Sequence, residues 1–408
     1  MSADDREIPS FAARFLRFFV GNSAAERFLI SIAALIAAVV VSSGLIVVAG
    51  MLAGKPFNPV EVFLVLVNGS LGSPFALNSG RLFTPGWSPV NFAMATTLKE
   101  TSLLLLTGLA VAVAFRGDLF NIGAQGQAVL GGLSAALALV WLAPLGPSGL
   151  LGTVIFIPFG LLVGAVAGGA FGAIPGALKA YSDANEVITT IMLNFIATGV
   201  AFYLVSTFFG DPTVQSIKTK PIPEFAQIRG VLFPAGSSFA MFALVFALAT
   251  ALGVYYLLRH TSFGYDLRVS GEQAPAALYA GANAERMIVS TMTLSGALAG
   301  IAGAMWSMMV IGAWRQGVPG IGFDGITVSV LAGNNPIGVI PAAFLFGILK
   351  GGSTAINFQL GVPPELVGVL RGLIILFVAM PEFFRMIGRR LGVGPGESAP
   401  TAGGGVDE

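Results

Sequence analysis

The chain of 408 residues is 55% hydrophobic and only 10% charged, where soluble globular proteins carry about 25% charged residues. This composition excludes a water-soluble enzyme or nucleic-acid-binding domain and places the chain in a bilayer. With 21 Lys and Arg against 20 Asp and Glu the net charge of +1 selects no partner. The lack of cysteine rules out disulfide frameworks, thiolate metal sites and Cys nucleophiles, and one histidine leaves little scope for metal chemistry, so neither a metal nor a cofactor is expected.

The N-terminus, Met1-Ser2-Ala3-Asp4-Asp5, is acidic where a secretory signal is basic, and the apolar run after it is too long for a signal h-region. Residues 1–27 are therefore expected to form a cytoplasmic segment. Within it Phe11, Phe15 and Phe18 recur at helical spacing beside Arg14 and Arg17, as an interfacial helix requires. A spanning helix needs roughly 20 apolar residues. Uncharged runs and breakers predict spans near 28–53, 94–114, 120–142, 150–178, 187–209, 238–258, 287–310, 323–333, 337–352 and 366–384. The expected fold is all-α and polytopic, with about ten transmembrane helices in one domain over 28–385. The Gly-, Pro- and Ser-rich segment 386–408 is expected to be a disordered tail. Residues 55–93 and 211–234 read as extended outer loops. A Pro144-Leu145-Gly146-Pro147-Ser148-Gly149 turn separates the third and fourth spans.

Lys and Arg are in excess in cytoplasmic loops. With the N-terminus inside, twelve of the 21 fall inside and seven outside, Lys350 among the latter, with Lys99 and Arg371 left within spans. This puts both termini and segment 259–286 in the cytoplasm. Ile122-Gly123-Ala124-Gln125-Gly126 is echoed by Ile321-Gly322-Phe323-Asp324-Gly325, and Thr107-Gly108-Leu109-Ala110 by Ser295-Gly296-Ala297-Leu298. The copies are about five spans apart, and an odd offset forces opposite orientations, so the halves are expected to be inverted repeats. Gly160, Gly164, Gly168, Gly172 and Gly176 line one helix face at four-residue spacing, a surface for close helix packing.

Polar groups at span ends and breaks are pathway candidates, because hydrocarbon penalises them unless they are paired or wetted. These are Asn121, Gln125 and Gln127 at the start of the third span, Asp324, Asn334 and Asn335 around the short eighth, and Asn194 inside the fifth. Helix capping or interhelical bonding would employ the same amides. Asp324 has no second carboxylate or histidine beside it in the sequence, which argues against proton coupling. Gly50-Met51-Leu52-Ala53-Gly54-Lys55-Pro56 misses the phosphate-loop spacing and ends in Pro, and no zinc or Ser/His/Asp motif is present. If the chain drives uphill transport, something else must supply the energy.

The polar interruption Arg259–Arg286 holds a Gly264-Tyr265-Asp266-Leu267-Arg268 turn, then Gly271-Glu272, then a short helix from Ala274 to Gly281 with Pro275 early and Gly281 last. Such a helix is too short to span and suits a groove on a soluble partner. Leu267-Arg268-x-x-Gly271-Glu272-x-x-x-Ala276-Ala277-x-Tyr279-Ala280-Gly281 resembles the coupling loop of permease subunits of ATP-binding-cassette importers, in the branch serving branched-chain amino acids, simple sugars and nucleosides. The resemblance covers about residues 90–385. Leu119-Phe120-Asn121-Ile122-Gly123-Ala124-Gln125-Gly126-Gln127, Asn185-Glu186-Val187-Ile188-Thr189-Thr190-Ile191-Met192-Leu193-Asn194 and Gly322-Phe323-Asp324-Gly325-Ile326 are similar to the nucleoside-type subgroup. Two positions depart from the pattern: Gln125, where that subgroup leads one to expect Glu, and Val269-Ser270, where it leads one to expect Ala.

The resemblance implies a non-catalytic permease in a bacterial inner membrane, paired with a second permease that is commonly a different chain. A cytoplasmic ATPase would dock through Tyr265, Arg268, Gly271, Glu272, Ala276, Ala277, Tyr279 and Gly281, and an extracytoplasmic solute-binding protein would deliver substrate. The solute implied is a nucleoside, with a simple sugar as the alternative; neutral amides with Phe120 and Phe323 beside them suit a flat, uncharged ligand. A self-sufficient secondary transporter or channel would need coupling carboxylates and no docking segment.

Overall fold

A computed structural model describes residues 24–52, 54–75, 84–234, 236–273, 277, 279, 281, 283–363, 366–369, 372, 373 and 376. The predicted interfacial helix, the 386–408 tail, Ala276, Arg371 and most of the 366–384 span lie outside them. Chain contacts define two compact units, Met1–Glu61 with Glu365–Glu408, and Val62–Pro364.

In the first unit, α1 (Ala24–Leu52) is an apolar helix. Its last turn meets the returning chain, where the Lys55 N–H donates to Gly50 O (2.9 Å). A Cβ on Gly50 would lie 2.7 Å from Lys55 O, so only glycine admits the reversal.

Helix α2 (Pro59–Leu71) enters the second unit at Val62. It occupies what the sequence predicted to be an outer loop. Thirteen residues are too few to cross a bilayer; its buried face, Val62, Leu66 and Ser70, recurs at helical spacing, and packing secures it, with Gly352 against Leu66, Gly69 against Ala355 and the Thr97 hydroxyl donating to Ser70 O (2.7 Å). The remaining helices are α3 (Phe92–Arg116), α4 (Ala124–Leu142), α5 (Gly149–Ser182), α6 (Glu186–Leu204), α7 (Met241–His260), α8 (Ser262–Glu272), α9 (Ala284–Trp306), α10 (Ile321–Leu331) and α11 (Val339–Leu360). Helices α6 and α9 end in π-helical turns, Val205–Phe209 and Ser307–Ile311. Among the described residues seven helices are long and apolar enough to cross a membrane, with shorter apolar helices at Ile36–Met51, Pro59–Leu71 and Ile321–Leu331.

Two corresponding helices, α3 and α9, form the centre and run antiparallel. Ser295 faces Ala110, Met292 packs with Ala114, and Thr291 meets Gly117. Each is embraced by elements of the other half: α4 and α5 pack on α9, and α10 and α11 on α3. Glycine permits these close approaches. Gly131 and Gly132 meet Gly300 and Gly303, and a Cβ on Gly325 would lie 2.7 Å from Thr107. The ladder on α5 lies against α9, with Gly164 at Gly300 and Ala304, Gly168 at Gly296 and Gly300, and Gly172 at Met292 and Gly296; Gly176 meets Met292, and Gly160 meets Leu139 and Met308. The two halves are thus interlocked.

The decisive local feature is that α4 and α10 are not full spans entered from the surface. After Arg116 the linker 117–123 turns back along α3 until Asn121 sits beside Ser295 and Ala110, roughly 9 Å up the helix at 1.5 Å per residue. After α9 the linker 312–320 descends from the other end. The first turns of α4 and α10 then meet, with Gly322 against Gln125 and Gly325 at Thr107, near the middle of the 25-residue α3. Helix α10 runs from there to the end of α3, where Arg116 Nε donates to Asn334 O (2.8 Å). The predicted 120–142 span therefore begins at depth, and the short 323–333 span is a half-helix. Two further predictions are corrected. Residues 264–268 are not a turn but part of α8, started by the Thr261 hydroxyl accepting from the Gly264 N–H (3.2 Å). Lys350 is not in an outer loop but inside α11, because its ammonium finds two carboxylates there.

Candidate substrate cleft and coupling surface

Where the first turns of α4 and α10 meet, a cleft of about 540 Å³ is lined by Gln125 of α4, Phe323 of α10, Gln316 of the second linker, and Ile191, Asn194, Phe195, Thr198, Gly199 and Phe202 of α6. Two carboxamides from the predicted pathway set hold it together. Gln125 Oε1 accepts from the Gly322 N–H (2.9 Å) and its Nε2 donates to Pro319 O (3.0 Å). Asn194 Oδ1 accepts from the Gly126 N–H (2.7 Å) and its Nδ2 donates to Ile122 O (3.0 Å). First-turn N–H groups, which a helix leaves without intrahelical partners, are thereby capped by neutral groups. The phenyl rings of Phe195, Phe202 and Phe323 remain 70%, 40% and 48% exposed, and no lining residue is charged.

The other predicted pathway residues lie elsewhere. Asn121 and Gln127 are buried and saturate one another: Asn121 Nδ2 donates to Gln127 Oε1 (2.8 Å) and to Ser295 Oγ (2.7 Å), and Gln127 Nε2 donates back to Asn121 Oδ1 (3.1 Å). Asn334 and Asn335 are at the far end of α10. Asn334, at φ 55°, accepts from the Ser329 hydroxyl (3.0 Å), and the Asn335 side chain accepts from the Ile337 N–H (3.1 Å). Phe120 packs edge-on against Phe115 (4.8 Å), away from the cleft.

Asp324 is not alone among carboxylates, as the sequence had suggested. Its Oδ2 is 2.9 Å from Lys350 Nζ, which is 3.0 Å from Glu100 Oε2, and Glu100 Oε1 is 3.3 Å from Lys99 Nζ. This neutral chain of four charges ties α10 and α11 to α3, one residue from Phe323 in the cleft wall. Sequence spacing gave a signal that was missed: a lysine in an apolar segment requires a partner at depth.

At the end of the molecule marked by Arg116, α8 lies against the first linker. A Cβ on Gly271 would be 2.6 Å from Gly117 C and 3.0 Å from Asp118 N, so glycine alone fits there. Tyr265 is 55% and Tyr279 95% exposed, Ala277 is buried, and Gly281 has φ +83°. Arg268 Nε donates to Gly264 O (3.1 Å), and Glu272 closes the helix. Of the predicted helix 274–281 only Ala277 and Tyr279, both helical, and Gly281 are described.

The family model described as branched-chain amino acid transport system / permease component matches residues 93–379, most of the chain. The protein belongs to this permease family. It is similar to the guanosine ABC transporter permease protein NupP of Bacillus subtilis, 34% identical over 80% of this chain and 94% of the relative. It is also similar to the glucose ABC transporter permease protein TsgB13 of Haloferax volcanii, 31% identical over 78% and 84%. A second guanosine permease protein of B. subtilis, NupQ, is 26% identical over 64% and 81%. The chain is accordingly a multi-pass membrane permease, and the helices, half-helices and cleft described above are those of a transport subunit.

Proposed function

We propose that this permease carries a nucleoside through the cleft at the N-termini of α4 and α10, driven by a separate ATPase. The observation that carries this is the cleft itself. Its hydrogen-bonding groups are carboxamides and a hydroxyl, its walls are aromatic, and it holds no charge. Flat bases stack on phenyl rings, at about 1–3 kcal/mol per base, and carboxamides meet the hydroxyls and ring edges of a neutral solute. A phosphorylated nucleotide would bring charge where no counter-charge waits. The similarity to a guanosine permease at 34% identity supports the same solute class.

In this reading Gln125 and Asn194 contact the solute or set the cleft, and Asn121 and Gln127 hold the linker beneath it. Asp324 anchors α10, and Asn334 and Asn335 shape its far end. The chain itself is non-catalytic. It would span the membrane as one domain over 28–385 with both termini in the cytoplasm, and α8 with Tyr265, Arg268, Gly271, Glu272, Ala276, Ala277, Tyr279 and Gly281 would receive the ATPase. A second, different permease would complete the pathway, as the existence of both NupP and NupQ suggests. Loop 211–234 would face a solute-binding protein. Uptake of labelled guanosine in a deletion strain tests this, with unlabelled nucleosides and glucose as competitors. Competition by nucleosides is expected, with a higher half-maximal concentration for uptake in Phe323→Ala. Competition by glucose alone would replace the nucleoside with a sugar.

A further inference from the structure

At the end of the molecule marked by Arg116, the last residue of α3, the last turns of α7, Arg268 of α8 and the turn after α10 line a second pocket of about 460 Å³. Arg116, Arg259 and Arg268 converge on it, with Tyr255, Asn335 and Pro336 completing the wall. Two guanidinium groups are held from behind, Arg116 by its Nε bond to Asn334 O (2.8 Å) and Arg268 by its Nε bond to Gly264 O (3.1 Å), while Arg259 lies 5.9 Å from the centre of the Tyr255 ring. Their terminal nitrogens have no hydrogen-bond partner among the described residues, and no carboxylate forms an ion pair with any of the three. Oriented guanidinium forks with free ends and unmatched positive charge are what a phosphate group fits, since each fork can give it two parallel N–H bonds.

We propose that this pocket binds a phosphate group, that of an anionic phospholipid headgroup. The exposed face of α7 below it, with Leu252 59% and Tyr256 62% exposed, offers apolar surface for the acyl chains. Basic pockets between the ends of membrane helices hold anionic headgroups in this way. The proposal does not depend on which solute the cleft carries; Arg268 also belongs to the surface proposed for the ATPase, and the ATPase readout below separates the two.

Native mass spectrometry of the purified full-length permease, titrated with phosphatidylglycerol, phosphatidylcholine or inorganic phosphate, tests it. Wild type is expected to retain phosphatidylglycerol in preference to phosphatidylcholine. Retention should fall about fivefold for each arginine removed, the factor that about 1 kcal/mol per basic residue implies. Arg259→Gln is the first variant to measure, because Arg259 contributes no hydrogen bond to the fold; Arg116→Lys and Arg268→Lys, which keep the charge, should retain more lipid than the glutamine variants. Displacement of the lipid by inorganic phosphate would show that the phosphate group is what binds. Binding of inorganic phosphate without any preference for phosphatidylglycerol would keep the phosphate site and overturn its lipid source. An unchanged lipid preference in Arg259→Gln and in Arg116→Gln/Arg259→Gln/Arg268→Gln would overturn the proposal, and loss of the co-purifying ATPase in those same variants would then assign the arginines to a protein contact.

Discussion

Replacing Lys350 by methionine should destabilise the permease by about 3–5 kcal/mol, the cost of removing one partner from a buried ion pair. Lys350, Glu100 and Asp324 have side chains only 15%, 17% and 27% exposed. The 3.0 and 2.9 Å contacts share one nitrogen, so the two carboxylate oxygens lie no more than 5.9 Å apart. Without the ammonium they face each other. At an effective dielectric constant of about 20 that repulsion alone is about 3 kcal/mol, which agrees with the range above and corresponds to a shift of more than a hundredfold in the folding equilibrium. Titration with sodium dodecyl sulfate, followed by tryptophan fluorescence, measures the change. Adding Asp324→Asn to Lys350→Met leaves Lys99 and Glu100 as a neutral pair at 3.3 Å and removes the repulsion, so the double variant should recover more than half of the loss. A single variant within about 1 kcal/mol of wild type, below the range given above, or a double variant no better than the single, would refute the reasoning.

Asn194→Leu leaves the Gly126 N–H and the Ile122 carbonyl without partners, at about 1–3 kcal/mol each; the same titration should show the loss and guanosine uptake should fall at least as steeply. Phe323→Ala removes a half-exposed ring from the cleft and should raise the concentration for half-maximal uptake roughly tenfold, with the yield of folded protein unchanged. Gly271→Val pushes a side chain into Gly117; uptake should be lost while the ATPase still co-purifies, and normal uptake would remove α8 from the coupling path. Gly168→Val would force apart α5 and α9 at Gly296 and Gly300, and folded permease should vanish from size-exclusion profiles of detergent extracts.

Much of the architecture was legible because hydrophobic runs report burial in lipid directly. The span predicted at 187–209 corresponds to Glu186–Leu204 and its π-helical end, and the turn at 144–149 lies between α4 and α5. The echo of Ile122–Gly126 in Ile321–Gly325 marked the starts of α4 and α10, since both need glycine for close approach. Depth was not legible. Nothing in Leu119–Gly123 says that the chain doubles back beside Ala110; that follows from Asn121 finding Ser295, 174 residues away. Helix α2 was hidden because its thirteen residues fall short of a span and its packing partners, on α3 and α11, are distant in sequence. Lys350 was misplaced because a charge near the end of a predicted span reads as a boundary until its partners, on two other helices, are seen.

The two linkers give the cleft one handle at each end of the protein. On one side Gly271 of α8 is seated on Gly117, and the same linker continues through Asn121 to Gln125 in the cleft wall. On the other, loop 211–234 grips the second linker: the Thr219 N–H donates to Trp314 O (2.9 Å), the Trp314 N–H to Thr219 Oγ1 (3.0 Å), and the Gln316 N–H to Ile217 O (2.9 Å). Gln316 is itself part of the cleft wall. Both linkers end at the Gln125–Gly322 contact, where Gln125 bonds the backbone of α10 and of the linker before it. Either surface is therefore connected to the cleft wall through one short, covalently continuous segment and one shared pair of hydrogen bonds. Glycine-packed helices resist deformation, so a change in the shape of the cleft without unpacking the core would have to act through the two linkers and the contacts that hold them.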